Sequence, residues 1–217
     1  VFTNHNIQGN PNLHPEKGHH FHTNLTWQKL TPTTLWRFRL SAFHNDVQNL
    51  IQLVIIEPAT LLTTYKNLQR IQTSGIQPRI EVRKGPFQGM IGSMLTWYNL
   101  RETGWEAALQ SSYQHKAYTF SVFFKYQGRT PIFLAKEDGS VEWRWMGGFP
   151  WMDVSVGRTI WHQRLQLTAG MRNVFGIRSV QANLAGGIHT GGGSSTPVGM
   201  GRYPFLRVEL HLAKGQL

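Results

Sequence analysis

The sequence predicts an all-β fold, a transmembrane antiparallel β-barrel to which this chain contributes about nine strands. Three observations lead to this prediction. About nine segments alternate apolar and polar residues, the connections between them alternate in length, and aromatic residues lie near the segment ends. Alternation gives each strand one apolar and one polar face, and many segments approach the roughly 9 to 11 residues that cross a membrane as tilted strands.

The first strand begins within the stretch from Gly9 to Trp27. Its first half is rich in glycine, asparagine and proline, which favour turns. From His20 onward apolar residues such as Phe21 and Leu25 alternate with polar ones. Eight further segments repeat the pattern, and none has the periodicity of an amphipathic helix. In chain order they are LWRFRLSAFHN, IQPRIEVR, QGMIGSMLTWYNLR, WEAALQSSYQH, YTFSVFFKYQG, WMDVSVGRTIW, RLQLTAGMRN and GRYPFLRVELHL.

The connections alternate between short turns and long loops. Short returns at KLTPTT, KGPF, HKA and HQ follow the first, third, fifth and seventh strands. Long loops are predicted at residues 57–66, 129–149 and 176–200, whereas the return at residues 102–104 is short where a long loop is expected. Short turns on one rim and long loops on the other are typical of an outer-membrane barrel, with the short turns in the periplasm.

Composition excludes several classes of protein. Of 217 residues only 40% are hydrophobic, and no apolar run approaches the roughly 18 residues of a membrane helix. The absence of cysteine excludes disulfides and cysteine-based metal sites. The first residues, VFTNHNIQGN, do not pair a basic region with an apolar one, so we expect any secretion signal to have been removed or to lie upstream.

The chain is strongly basic, with 22 lysines and arginines against 11 acidic residues and a net charge of +11. The basic residues are scattered singly through alternating strands, without a basic helix or a basic run. This placement argues against nucleic acid as a partner. It favours anionic lipid headgroups, lipopolysaccharide or an anionic ligand.

A soluble antiparallel barrel or sandwich would also alternate, with its apolar face inward. Two features favour the membrane. The polar faces carry arginine, glutamine, histidine and glutamate too often for a dry core. Aromatic residues near strand ends are typical of interfacial girdles. These aromatic residues are Trp27, Trp36, Tyr118, Tyr126, Trp151, Trp161 and Tyr203.

Five segments resemble, in order, motifs of the TonB-dependent outer-membrane receptors. GNPNLHPEKG is similar to the NP-x-L-x-PE element before a descending strand, and LSAFHNDVQNLIQ to the strand with a Phe-x-Asn-Asp core. YKNLQRIQTSGIQ resembles the descending segment that follows it. LQLTAGMRNVFGI resembles the penultimate strand, and STPVGMGRYPFLRVELHL the last strand of the Bacteroidetes branch. The residues that match are Phe43, Asn45, Asp46, Tyr65, Asn67, Thr73, Gly75, Ile76, Asn173, Val174 and Phe175.

The chain departs from the family pattern at two places. Gln77 stands where the family usually has glutamate, and the chain continues as AKGQL instead of stopping at an aromatic residue. The resemblance implies a barrel of about 22 strands filled by an N-terminal plug with a TonB box. The plug and the TonB box are absent from this chain, so residues 1–217 are predicted to be the C-terminal part of the barrel domain.

An odd strand count supports the same interpretation. Nine strands would leave two edges of unpaired backbone groups, which hydrocarbon cannot solvate. Either further strands complete the barrel, or the count is wrong and a smaller barrel closes alone. The resemblance implies a bacterial outer-membrane location. The partners it implies are the remaining barrel and plug, the TonB complex, outer-membrane lipid or lipopolysaccharide and a possible surface lipoprotein.

Three histidines in predicted extracellular loops, His5, His14 and His189, are candidate ligand-binding residues. Asn10 to Leu13 spell NPNL, which also resembles a box of haem receptors, and His5 is the nearest candidate for the haem iron. Haem would then be a transported ligand, and no resident cofactor or metal is predicted. A site formed by the histidines at 19, 20 and 22 is disfavoured because only the last two share a strand face.

Other polar residues have structural interpretations. GGGSS, at residues 191–195, lacks the Lys-Ser/Thr ending of a phosphate-binding loop and is predicted to lie in an extracellular loop. Charged residues of the polar faces are predicted to form ion-pair networks with other strands and with the plug. They are Arg79, Glu81, Arg83, Arg207 and Glu209.

The function that we expect is import of a scarce, bulky nutrient, with iron chelates, haem, cobalamin and glycans all open. One alternative is a smaller structural or adhesive outer-membrane barrel. Another is an outer-membrane barrel enzyme, since Asp153, Ser155 and His162 can be combined into a triad in sequence only. We expect no enzymatic activity.

Overall fold

A computed structural model describes residues 7–57, 62–99, 102–135, 141–161, 164–181 and 195–210. These residues form fourteen strands. They are β1 (Ile7–Gln8), β2 (Lys17–Leu30), β3 (Thr34–Glu57), β4 (Leu62–Lys84), β5 (Phe87–Tyr98), β6 (Glu102–His115), β7 (Tyr118–Gln127), β8 (Thr130–Ala135), β9 (Val141–Met146), β10 (Phe149–Ile160), β11 (Leu165–Arg172), β12 (Ser179–Gln181), β13 (Ser195–Pro197) and β14 (Tyr203–Leu210). We find no helix among them with the length and apolarity needed to cross a membrane.

Nine of the strands form one continuous antiparallel wall. Its order is β2-β3-β4-β5-β6-β7-β10-β11-β14, so each wall strand pairs with the next wall strand along the chain. These nine strands coincide with the nine alternating segments. The prediction of about nine antiparallel strands is therefore confirmed.

The two rims of the wall differ as expected. The short-turn rim carries the two- to four-residue turns that follow β2, β4, β6 and β10. The opposite end, the long-loop rim, carries the connections that follow β3, β5, β7 and β11. At the short-turn rim Gly85 and Lys116 adopt φ angles of 52° and 53°, the left-handed conformation that tight hairpin turns require.

The predicted loop at residues 57–66 is wrong in extent. Strand pairing continues to Glu57, opposite Leu62, so most of this segment belongs to β3 and β4. The apolar–polar alternation fades beyond Asp46 although the backbone ladder persists. At about 3.3 Å per residue the 24-residue β3 is about 80 Å long, more than twice what a membrane requires, so the hairpin extends well beyond the bilayer.

The other two predicted long loops also contain strands. Residues 129–149 include β8 and β9, which pair with each other. Strand β8 also pairs with β3 at Ile55 and Leu134, and thereby joins this hairpin to the extended β3–β4 hairpin. Residues 176–200 include β12 and β13, which form a separate two-stranded ladder.

The apolar side chains of the wall lie on one face, the belt face. Across six strands they stand in register, each opposite the next. This row comprises Trp27, Phe38, Ile80, Ile91, Leu109 and Phe124. The other side of the wall, the polar face, carries the charged residues predicted there.

Exposure distinguishes the two faces. On the belt face Ile91 is 54% exposed and Leu206 73% exposed. On the polar face the carboxylate side chains of Glu81 and Glu106 are only 18% and 25% exposed. A water-soluble protein shows the opposite distribution, because water favours charge and disfavours apolar surface.

A dry core is almost absent from the described residues. Only four apolar side chains are buried there, and three of them lie in the extended β3–β4 hairpin or its immediate continuation. The four are Val54, Leu68, Ile71 and Val180. The belt face is thus a surface for lipid, and the soluble-sandwich alternative does not fit the structure.

Candidate functional site

The NPNLHPE element lies against the extended β3–β4 hairpin at the long-loop rim. Asn10 uses both ends of its side-chain amide. Its Nδ2 donates to the carbonyl of Tyr65 at 2.8 Å, and its Oδ1 accepts from the backbone N–H of Asn12 at 2.9 Å. The second bond closes an Asx turn, which explains why asparagine suits this position.

Asn67 of β4 holds the same loop from the hairpin side. Its Oδ1 accepts from the backbone N–H of His14 at 2.8 Å, and its Nδ2 donates to the carbonyls of His14 and Asn49, each at 2.8 Å. Glu16 adds a fourth link, since its Oε2 accepts from the backbone N–H of Ile51 at 3.0 Å. Side chains therefore fasten an irregular loop to hairpin residues that lie 35 to 55 positions away in sequence.

Of the three candidate ligand-binding histidines, the structure places one. His14 has its backbone fixed by Asn67 on both sides and its imidazole exposed at the long-loop rim. His5 and His189 lie outside the described residues. The ligand-binding role of all three stays a prediction.

The histidines of β2 bond to neighbouring amides. His20 Nδ1 lies 3.1 Å from Asn45 Oδ1 on β3, and His22 Nδ1 lies 3.3 Å from Asn24 Nδ2. Within the described ranges no three histidine or acidic side chains come together as metal ligands.

The polar face carries ion pairs, of which those of Arg37 with Glu81 and of Lys125 with Glu106 join neighbouring strands and that of Arg79 with Glu81 lies within β4. Arg37 Nη1 donates to Glu81 Oε2 at 3.1 Å. Arg79 Nε lies 2.9 Å from Glu81 Oε1, an ion pair without the alignment of a hydrogen bond. Lys125 Nζ lies 2.8 Å from Glu106 Oε2.

Arg207 and Glu209 were predicted to join networks among strands, but in the structure they pair with each other within β14. The predicted ion pair of Arg83 is not found among the described residues. Arg83 instead lines a shallow depression of about 180 Å³ in the polar face. Arg79, Glu81, Gln88 and Gln110 also line it, so its walls are largely polar and carry one more positive than negative charge.

Above the belt, the outward side of β3 and β4 changes from apolar to charged. The change falls between Ala42 and His44 of β3. Arg70 binds Asp46 in a bidentate arrangement, with Nε donating to Oδ1 at 2.8 Å. The hydrogen bond from Arg70 lowers the pKa of Asp46 to about 2, against partial desolvation, and a bond from Gln72 adds to the effect. This ion pair lies beyond the membrane-spanning part of the wall.

Asp153 has a structural role. Its Oδ1 accepts from Trp151 Nε1 and from the backbone N–H of Asn173, both at 2.8 Å. Ser155 shares its strand face, but His162 lies outside the described residues. These interactions favour a structural role for Asp153, which links β10 to the end of β11 at the long-loop rim, over the role of a catalytic acid.

Asn173 organises the loop before the last strand, a role that its motif did not specify. Its side chain is fully buried, and its Nδ2 donates to the carbonyls of Ile177 at 2.7 Å and Gly201 at 3.1 Å. Its Oδ1 accepts from the backbone N–H of Ile177 at 3.1 Å. The only sequence signal was the resemblance of NVF to the receptor motif. Of the GGGSS stretch, residues 191–194 lie outside the described residues, and Ser195 begins β13.

Comparison with protein families matches residues 3–190 to the model of the outer membrane protein beta-barrel family. The chain belongs to this family. The match covers most of the wall described above and places the protein in the bacterial outer membrane. None of the curated proteins matches the chain.

Several solved structures share the fold of this family member. The chain is similar to the copper transporter OprC (TM-score 0.62, 15% identity) and to the FrpB iron transporter from Neisseria meningitidis (0.60, 16%). It is also similar to the ferric-catecholate import receptor Fiu from K12 E. coli (0.60, 16%). The alignments cover 94% of this chain in each case, but only 33%, 32% and 29% of those chains.

The chain thus spans about a third of the length of these solved structures. At this level of identity the likeness concerns the fold. It confirms the predicted resemblance to part of a TonB-dependent receptor barrel and the assignment of the nine strands to a larger barrel.

Proposed function

We propose that this chain supplies part of the barrel wall and extracellular loops of an outer-membrane transporter that imports a scarce nutrient. Residues 1–217 would form the C-terminal part of its barrel domain. The neighbours are named as transporters and receptors for copper, iron and siderophores, and transport rather than enzymatic activity is the role that they support.

The open edges of the wall are the observation that carries this proposal. In the described residues β2 pairs only with β3, and β14 pairs only with β11. All fourteen residues of β2 are exposed. Because lipid cannot hydrogen bond to free N–H and C=O groups, both edges need further strands of the same barrel.

The polar face supports an enclosed, wet interior. The ion pair of Arg37 with Glu81 joins adjacent strands, and the depression beside Arg83 is lined by two arginines and one glutamate, so it keeps one uncompensated positive charge. A plug that fills a barrel of this size would contact this face, and acidic groups on the plug would complement it. The TonB complex would then act on the plug, and a surface lipoprotein could cover the long-loop rim.

The long-loop rim is the proposed place for ligand. The backbone of His14 is held there by hydrogen bonds to Asn67. Because these bonds involve only the backbone, the imidazole is positioned and left available for ligand. His5 and His189 are proposed to join it from the same rim. Haem, iron chelates, cobalamin and glycans are the ligand classes to be distinguished.

The native complex purified from the outer membrane tests the proposal. We expect intact mass and peptide mapping to find further barrel strands and a plug, and uptake assays with radioactive iron and copper to show import that needs energy. A Soret band in the visible spectrum would identify haem. A complex that contains neither plug nor additional strands would contradict the proposal and favour a smaller structural or adhesive barrel.

The histidine candidates have their own test. In the native receptor, His5→Ala, His14→Ala and His189→Ala should weaken ligand uptake while assembly in the membrane is unchanged. His115→Ala is the matched control, because His115 lies at the short-turn rim, on the opposite side of the membrane. Equal uptake by all four variants would remove the histidines from the proposal but leave the transport function standing.

A further inference from the structure

Three cations on the belt face lie directly opposite aromatic residues of the neighbouring strand. In each pair the two residues stand at or next to the last register position before the short-turn rim. The pairs are Lys29 with Trp36, Lys84 with Phe87, and Arg158 with Tyr118.

The aromatic members are accessible from outside the wall. Trp36 is 44% exposed, Phe87 38% and Tyr118 39%. In one pair the contact is direct, since the guanidinium carbon of Arg158 lies 5.2 Å from the ring centroid of Tyr118. A cation held beside an exposed ring presents its charge and an apolar surface to the same neighbour.

The short-turn rim has little negative charge to balance these cations, since Glu209, opposite Gln166, lies on the polar face and is paired with Arg207. The described turn segments 28–36, 82–88, 113–119, 158–161 and 164–166 contain no aspartate or glutamate. Lys116 and Arg164 add two more cations in the turns. At the long-loop rim, by contrast, Arg70 is neutralised by Asp46. The counter-charge for the three belt-face cations must therefore come from outside the described wall.

The position of the pairs along the strands, relative to the apolar belt, identifies the source of the negative counter-charge. Lys29 follows Trp27 of the belt by two residues on the same strand face, which places it about 7 Å nearer the rim. That is the level where hydrocarbon gives way to headgroups. Exposed aromatic rings prefer this interface, and lysine and arginine bind phosphate. Short turns face the periplasm in this class of barrel, so the adjoining lipid is that of the periplasmic leaflet.

We propose that these three cation–aromatic pairs bind the headgroups of anionic phospholipids in the periplasmic leaflet. The phosphodiester of the lipid accepts hydrogen bonds from Lys29, Lys84 or Arg158, and the upper acyl chain lies against the paired ring. This proposal requires the outer-membrane location of the chain but not the transport function. It therefore stands or fails independently of the ligand that the barrel transports.

Native mass spectrometry of the intact receptor tests the proposal. The receptor is placed in phosphatidylethanolamine nanodiscs that contain one-fifth phosphatidylglycerol, and the retained phosphatidylglycerol molecules are counted. Nanodiscs without phosphatidylglycerol give the background. The variant K29Q/K84Q/R158Q should retain fewer of them, with binding about fivefold weaker for each cation removed at low salt. The difference should shrink as salt is added, since exposed charges are screened.

Arg83→Gln is the matched control. Arg83 precedes Lys84 at the same rim, but its side chain lies on the polar face. It should leave phosphatidylglycerol retention unchanged. Heat-modified mobility in gels shows whether each variant has assembled. The variant K29R/K84R, in which Arg158 is unchanged, keeps all three positive charges and should retain phosphatidylglycerol at the wild-type level.

Two results would overturn the proposal. One is equal phosphatidylglycerol retention by the wild type and the triple variant. The other is an equal loss in the Arg83→Gln control. If lipid retention is unchanged but the triple variant no longer binds a poly-glutamate probe, the pairs serve an acidic protein of the periplasm and the lipid proposal is wrong.

Discussion

The ring of Phe43 lies over Gly75, its partner across β3 and β4 on the polar face. A Cβ at Gly75 would overlap the Phe43 ring and lie 2.8 Å from the carbonyl oxygen of Leu95 on the next strand. Phe205 covers Gly170 in the same way, where a Cβ would come within 2.6 Å of the ring. A phenylalanine paired with a glycine thus recurs at two places in the wall, both within the receptor-like motifs.

Gly75→Ala should destabilise the wall by about 1 to 3 kcal/mol, because the added methyl overpacks against Phe43 and the backbone of Leu95. The measurement is the temperature at which the assembled receptor loses its heat-modified mobility. Gly92→Ala is the control, since its Cβ would meet nothing nearer than 3.4 Å. If both substitutions had the same effect, the close approach of Phe43 to Gly75 would not be the cause.

Asn67→Ala should release the loop at residues 9–16 from the extended hairpin. The substitution removes all three side-chain hydrogen bonds to the backbones of His14 and Asn49. These hydrogen bonds are exposed and together contribute roughly 1 to 2 kcal/mol to the attachment of the loop. Amide hydrogen exchange at His14 should become faster. Asn12→Ala should leave that rate unchanged, because the structure gives the Asn12 side chain no bond within the described residues.

Asn173 combines a buried side chain with a φ of 52°, so two substitutions separate its two contributions. Asn173→Gly keeps the left-handed backbone accessible but removes the hydrogen bonds to Ile177 and Gly201, at a cost of about 1 to 3 kcal/mol. Asn173→Ala should cost about 1 kcal/mol more, since alanine is strained there. Urea unfolding of the assembled protein measures both, and equal losses would show that the backbone conformation contributes nothing.

The ion pair of Asp46 with Arg70 predicts a defined pH dependence. The hydrogen bond from Arg70 lowers the pKa of Asp46 from its ordinary value of 3.8 to about 2 in the folded protein. The stabilisation is therefore fully present above about pH 4 and is lost as the pH falls towards 2. The difference in thermal stability between wild type and Asp46→Asn should vanish over this interval.

The same pair provides its own control. In an Arg70→Gln background the further change Asp46→Asn should have little effect on stability at neutral pH, since the hydrogen bonds between the two side chains are already gone. Full additivity of the two substitutions would contradict the assignment of the pKa shift to Arg70.

The strand count and the orientation of the faces could be predicted from local sequence, as β7 illustrates. Tyr118 to Gln127 alternate in character at every position except Phe123, so one face of this strand is fixed as apolar whatever its partners. The extended hairpin was missed for the opposite reason. Beyond Asp46 both sides of β3 lie outside the membrane, and no hydrophobic requirement maintains the alternation.

The candidate site depended on contacts that sequence does not encode locally. The NPNLHPE element was recognisable as a motif, but its attachment to Asn67 spans 53 positions and rests on the register of β3 with β4. Likewise, Lys84 and Phe87 could be read as the ends of a tight turn. The contact of Arg158 with Tyr118 could not be predicted in this way, because it depends on the pairing of β10 with β7.

The sequence by itself determined the elements and their faces: nine alternating strands, short turns on one rim, and an apolar side suited to lipid. These follow from backbone geometry within each strand, since neighbouring side chains must point to opposite sides. Only the tertiary structure decided which residues meet across strands. The glycine beneath Phe43, the loop held by Asn67 and the cations beside aromatic rings at the short-turn rim all depend on register, because hydrogen bonds between strands set it over the whole sheet.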